Sequence, residues 1–182
     1  MTTRNPSPEA ARGARIKRVL IFGALALLFA TAQCSFFAAL HICPATPDLL
    51  LGLILAVLLS DSVYAAAAVA IGAGFLVDAL GATSFFFTPL FYFAVVLVLC
   101  LPASKMLPTF PSYVLLVLPA LVMRSLYTLV CALLVAGPLP PLPVIGGVLL
   151  REALVTLLLS LPTYPIVSLC MRPLRARSRF RF

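Results

Sequence analysis

Charge is what this chain has least of. Only 10% of its 182 residues are Asp, Glu, Lys or Arg, against roughly 25% in a soluble domain. So few charges cannot cover a water-facing surface, which excludes an ordinary soluble globule. Acids are scarcest, five against thirteen Lys and Arg. Trp is absent, and His41 is the single histidine, with no acid close to it in sequence. Cys34, Cys43, Cys100, Cys131 and Cys170 form no CxxC pair and have no His cluster beside them. Neither a zinc nor a redox site is expected, and no cofactor. The chain has no GxSxG, no HExxH and no Gly-rich loop of the phosphate-binding kind, so the common hydrolase, metalloprotease and nucleotide signatures are missing. No enzymatic activity is expected.

What is present is apolar: 63% hydrophobic residues and a mean hydropathy of +1.18. Lipid is therefore the expected solvent, and the length suits one compact membrane domain. The net charge of +8 raises nucleic-acid binding as a question, but its distribution answers otherwise. Arg4, Arg12, Arg15, Lys17 and Arg18 precede the first apolar run, and Arg172, Arg175, Arg177, Arg179 and Arg181 follow the last. Two basic ends of this kind mark the cytoplasmic side of a membrane protein and meet anionic headgroups. The expected organisation is a basic tail over residues 1–18, a transmembrane domain over 19–171 and a second basic tail over 172–182.

Apolar stretches run from Val19 to Leu40, Asp48 to Leu59, Tyr64 to Leu80, Phe85 to Leu101, Tyr113 to Ala136 and Ile145 to Cys170. Between them stand "HICPATP", "SDS", "GATS", "PASKMLPTFP" and "GPLPPLP", where Pro, Gly and Ser interrupt regular structure. The first stretch has a signal-peptide look, with Ala30-Thr31-Ala32 near its end. It continues through Phe36, Phe37 and Leu40, however, so a retained signal anchor is expected. The second stretch reaches only roughly 18 Å at 1.5 Å per residue, against a core of about 30 Å. It is either a short helix of its own or the start of a longer one fused to the third, which would leave five spans. Six spans put both basic ends and Lys105 on the inner side and leave the outer loops without Lys or Arg, in better accord with the positive-inside tendency. The expectation is an all-α membrane protein, a six-helix transmembrane bundle with both termini cytoplasmic and a short second helix. Pro89, Pro119, Pro162 and Pro165 lie within these stretches and predict kinks, above all around "LPTYP".

The few polar groups inside these stretches are the candidate sites. Asp78 ends a ridge of small residues, Ala66, Ala70 and Gly74, spaced by four. Small residues let helices approach closely, so this face should meet protein. Arg124, Arg151 and Glu152 complete a set of four intramembrane ions whose formal charges sum to zero. Depth along the spans suggests the pairings Arg124–Glu152 and Arg151–Asp78. Gln33 needs a partner on another helix, Asp48 follows Pro47 as a helix cap, and the serines beside Asp61 can cap the third span. The aromatics of "SFFFTPLFYF" read as an interfacial belt.

"AQCS" closing the first span, "PDLLLGLILAVLL" forming the second and "GAGFLVDALGATS" ending the third resemble the MreD family, the rod-shape-determining membrane proteins of bacteria. That family has a first helix ending near Ala-Gln-Ser, a Pro-Asp-Leu-Leu start to the second and a glycine-rich segment leading to an Asp. The resemblance covers residues 15–101, with an Arg-Glu pair, here Arg151-Glu152, before the last apolar run. A second glycine usual in the third segment is missing here, where Val77 stands before Asp78. The resemblance implies a non-enzymatic scaffold of the cell-elongation machinery in the cytoplasmic membrane. Its implied partners are MreC, MreB, RodA and a class B penicillin-binding protein. The rival class is the substrate-binding subunit of an energy-coupling-factor vitamin transporter, which MreD-like proteins also resemble. In that case outer loops would close over a ligand, and small-residue faces of the first spans would dock the coupling subunit.

Overall fold

The computed structural model describes residues 8–37, 47–81, 87–136 and 142–176. All regular elements among them are helical: α1 (Pro8–Thr31) running into a π-helical turn (Ala32–Phe37), α2 (Leu49–Ser60), α3 (Val63–Leu80), α4 (Thr88–Lys105), α5 (Phe110–Ala136), α6 (Leu142–Ser160) and α7 (Thr163–Ala176). Among the described residues five segments are long and apolar enough to cross a membrane, the last being Val144–Met171, which spans parts of both α6 and α7. The chain is thus a multi-pass membrane protein. α1 begins at Pro8, inside the stretch read as the basic tail, so the first span continues as helix beyond the hydrophobic segment.

The short α2 organises the rest. Every residue from Leu49 to Leu59 is buried, and α2 packs against each of the other six helices. A helix apolar on all sides belongs at the centre of a bundle, and "LLLGLILAVLL" is such a sequence. α2 remains separate from α3. Asp61 ends it, and Ser62 Oγ accepts from Ala65 N at 3.2 Å to start the next helix. Around this centre the outer helices turn apolar rows outward, such as Val122, Leu126, Val130 and Leu133 on α5 and Leu150, Leu154 and Leu158 on α6. Spacings of three and four put each row on one helical face, as a lipid-facing surface requires.

α3 and α4 pack extensively against each other. Their closest approach is at Gly74, where an added Cβ would run into the backbone of Pro89 in the first turn of α4. Ala66, Ala70 and Asp78 are buried with Gly74, so the ridge is covered by the chain itself. In the last span the helix stops at Ser160 and restarts at Thr163, across the "LPTYP" segment. The carbonyl freed there is taken up by hydroxyls. Ser160 O accepts from Thr163 Oγ1 at 2.6 Å and lies 2.8 Å from the Tyr113 hydroxyl. The same hydroxyl stands 3.2 Å from Gly52 O, which ties α5, α2 and the α6–α7 break together.

Candidate functional site

α2 starts at Leu49, and its N-terminus lies buried inside the bundle. A helix start leaves backbone N–H groups without partners, and inside a membrane each must be met by protein. Two side chains meet them. Asp48 Oδ1 accepts from Leu51 N at 3.0 Å. Gln33 Oε1, carried on the π-helical turn that ends α1, accepts from Leu49 N at 3.1 Å and Leu50 N at 3.4 Å. The helix dipole adds to this, since an anion at a helix N-terminus is favoured.

Asp48 is fully buried and gathers further elements around itself. Its backbone N donates to Thr156 Oγ1 on α6 at 3.2 Å. Tyr92 of α4 donates its hydroxyl to Asp48 Oδ1 at 2.7 Å. Arg124 of α5 approaches from the other side, with Nη1 3.4 Å from Asp48 Oδ2. The same guanidinium donates through Nε to Glu152 Oε1 on α6 at 3.2 Å, and Thr128 Oγ1 lies 3.5 Å from that oxygen. Phe91 and Tyr127 stack at 4.4 Å, and the Arg124 carbon centre stands 5.8 and 5.7 Å from their ring centroids. Cation–π contact there supplements the two carboxylates. One cation thus joins two anions, and the cluster ties together α1, α2, α4, α5 and α6.

Of the sequence-derived candidates, Gln33, Asp48, Arg124 and Glu152 come together here. The Arg151–Asp78 pairing does not form. Glu152 faces inward to Arg124, and successive helical residues point about 100° apart, so Arg151 is turned out and exposed. Asp78 is buried on α3, a helix that packs against α1, α2 and α4. With Gly74, Ala70 and Ala66 it forms a separate seam. The aromatic-belt reading also needs correction at two positions: Phe91 and Tyr92 are buried, and Tyr92 is spent on Asp48. Tyr92, Thr128 and Thr156 escaped the sequence reading because a lone hydroxyl in an apolar run has no periodic signature. His41 and Cys43 lie outside the described residues, and the other four cysteines are free.

Chemically, the arrangement is one of mutual pairing, in which Asp48 Oδ2 meets Arg124 as an ion pair without a hydrogen bond. The carboxylates, guanidinium, amide and phenol are directed at one another and at backbone groups. Among the described residues no group of three or more His, Cys, Asp or Glu gathers as metal ligands would. The chain matches no protein-family model, no curated protein and no solved structure.

Proposed function

We propose that this protein is a non-enzymatic membrane scaffold of the bacterial cell-elongation machinery. It would be a six-helix bundle in the cytoplasmic membrane with both basic ends on the cytoplasmic side. The observation that carries the reading is the Asp48–Arg124–Glu152 cluster. Its ions and hydrogen bonds are used to fasten five elements of one chain to each other. A bundle held this way presents rigid apolar faces to its neighbours, and rigid faces suit helix–helix association in lipid. The ordered "AQCS", "PDLLLGLILAVLL" and "GAGFLVDALGATS" segments point to the elongation machinery through their likeness to the MreD family. MreC, RodA, a class B penicillin-binding protein and MreB are then the partners to seek.

Depletion in a rod-shaped host that encodes the chain tests this. Loss of rod shape, with MreC and RodA captured on the tagged protein from solubilised membranes, is the expected result. Unchanged shape together with a new vitamin requirement would overturn it in favour of an energy-coupling-factor transporter subunit.

A further inference from the structure

Of the cations inside the five membrane-crossing segments, Lys17, Arg18 and Lys105 stand at segment ends, and Arg124 is paired with Asp48 and Glu152. Arg151 is different. It lies on α6, turned away from the bundle and exposed, and no ion pair among the described residues includes it. Its depth is fixed in two ways. It follows the start of the Val144–Met171 segment by seven residues (144 to 151), about 10 Å at 1.5 Å per residue. Its neighbour Glu152 is bonded to Arg124, which stands fourteen residues from one end of Phe110–Leu134 and ten from the other, about 15 Å from the nearer end. A bilayer core is about 30 Å thick, so Arg151 lies well inside it. Long basic side chains close to a helix end turn their charge to the interface, but Arg151 is two to three turns away from one. A guanidinium does not shed its charge, so it needs an anion at this depth.

The face that carries Arg151 has the pattern of a helix-packing seam. Val144, Gly147, Arg151, Leu154 and Leu158 follow one another at spacings of three, four, three and four, the heptad spacing of two helices in contact. All five are exposed, and α6 packs against α2, α5 and α7 with its other sides. A Cβ added to Gly147, one turn before Arg151, would meet nothing within 4 Å. A small residue there lets a second helix come close beside the guanidinium. The outward row of α5, Val122, Leu126, Val130 and Leu133, has neither a glycine nor a charge, as suits acyl chains.

We propose that this face of α6 docks a transmembrane helix of another protein, one that carries an Asp or Glu at the depth of Arg151. Charge selects the occupant. Acyl chains supply no anion, and headgroup phosphates lie at the interface, outside the hydrocarbon core. A second copy of the chain has no carboxylate to offer. Of its five acids, Asp48 and Glu152 hold Arg124, Asp61 holds Arg18 and Asp78 is buried on α3. Glu9 stands in the first turn of α1, ahead of the apolar run. The carboxylate must therefore come from a different chain, and ions inside a membrane are met by pairing with one another. Two adjacent residues then act in opposite directions: Glu152 holds α6 to its own bundle, and Arg151 holds the bundle to its partner. The inference needs the membrane-spanning character of the chain and does not depend on a role in cell elongation.

Photocrosslinking in the membranes of a host that encodes the chain tests the assignment. Benzoylphenylalanine replaces Leu154 in the full chain, and mass spectrometry identifies the segment that it captures. The expected adduct is an apolar span of another protein with an Asp or Glu inside it. Arg151→Leu should lower the yield about tenfold, the size of a polar contact between helices in lipid. Arg151→Glu should do the same, and exchanging the partner's acid for Lys in that background should bring the adduct back. Thermal unfolding in detergent shows whether the variants are folded. Arg151→Leu should not lower Tm, because Arg151 holds nothing inside the chain, and a clear drop would overturn the docking role. Adducts to lipid alone or to a second copy overturn the proposal as well. So does a captured span without a carboxylate, or a yield that Arg151→Leu leaves unchanged. A carboxylate-bearing partner from outside the elongation machinery would uphold the docking face and count against the cell-elongation reading.

Discussion

Arg124 reaches Asp48 across the bundle, its Nη1 3.4 Å from Oδ2, and so stands just beyond the N-terminus of the helix that Asp48 caps. A cation at that place would be repelled by the positive end of the α2 dipole. The aspartate between them turns repulsion into attraction on both sides. Asp48→Asn keeps an N-cap acceptor but removes the charge facing Arg124, whereas Asp48→Ala removes both. We expect Asp48→Ala to cost about 3–5 kcal/mol, as when a buried pair is broken, and Asp48→Asn clearly less. Thermal unfolding in detergent micelles checks the order, and equal losses would show that the cap and the charge are not separable contributions.

Arg124 and Glu152 form the second half of the cluster, at 3.2 Å. Removing Arg124 leaves two buried carboxylates facing each other without their cation, so Arg124→Leu should be the most destructive single change in this region. Adding Glu152→Leu should recover part of the loss, with a coupling energy of about 0.5–3 kcal/mol in a double-mutant cycle. Additive losses would mean that the two side chains do not act as a pair.

Gly74 and Gly72 are two residues apart on α3 and make opposite demands. Gly74→Ala drives a methyl into the Pro89 backbone and should cost about 1–3 kcal/mol by overpacking. Gly72→Ala meets open space and should be neutral or slightly stabilising through helix propensity. Melting temperatures of the two variants, measured side by side, decide whether the α3–α4 seam is as close as described.

The Arg18–Asp61 pair lies at the edge of the bundle, with Arg18 partly exposed. Partly exposed ion pairs contribute up to about 1 kcal/mol and weaken with salt. Asp61→Asn should therefore shift stability little, and less still at high ionic strength. A loss comparable with that of Asp48→Ala would place this pair deeper in the protein than its exposure indicates.

Topology is open to direct measurement. Cysteines introduced in place of Thr3 and Ser178, in a background lacking the native thiols, should both be shielded from an impermeant reagent added outside intact cells. Labelling of only one of them would require an odd number of crossings.

The scarcity of charge, the apolar stretches and the basic ends determine from sequence alone that this is an all-helical, multi-pass membrane protein. These properties are summed along the chain and need no partner to be read. Local chemistry was legible as well: Asp48 as the cap of a short helix, Ser62 as the cap of the next and "LPTYP" as a break each depend on residues a few positions apart. Depth along a helix brought Arg124 and Glu152 to the same level. Depth does not give azimuth, however. Glu152 turns inward and Arg151 outward because adjacent helical residues diverge, and which of them faces the bundle was decided by where α5 lies. The uniform apolarity of α2 suits lipid as well as a bundle centre, and the tertiary packing put it at the centre. Its N-terminal N–H groups, Gln33, Tyr92 and Arg124 are up to 91 residues apart in sequence (33 to 124), and they meet because lipid leaves a buried helix end no solvent but its own protein.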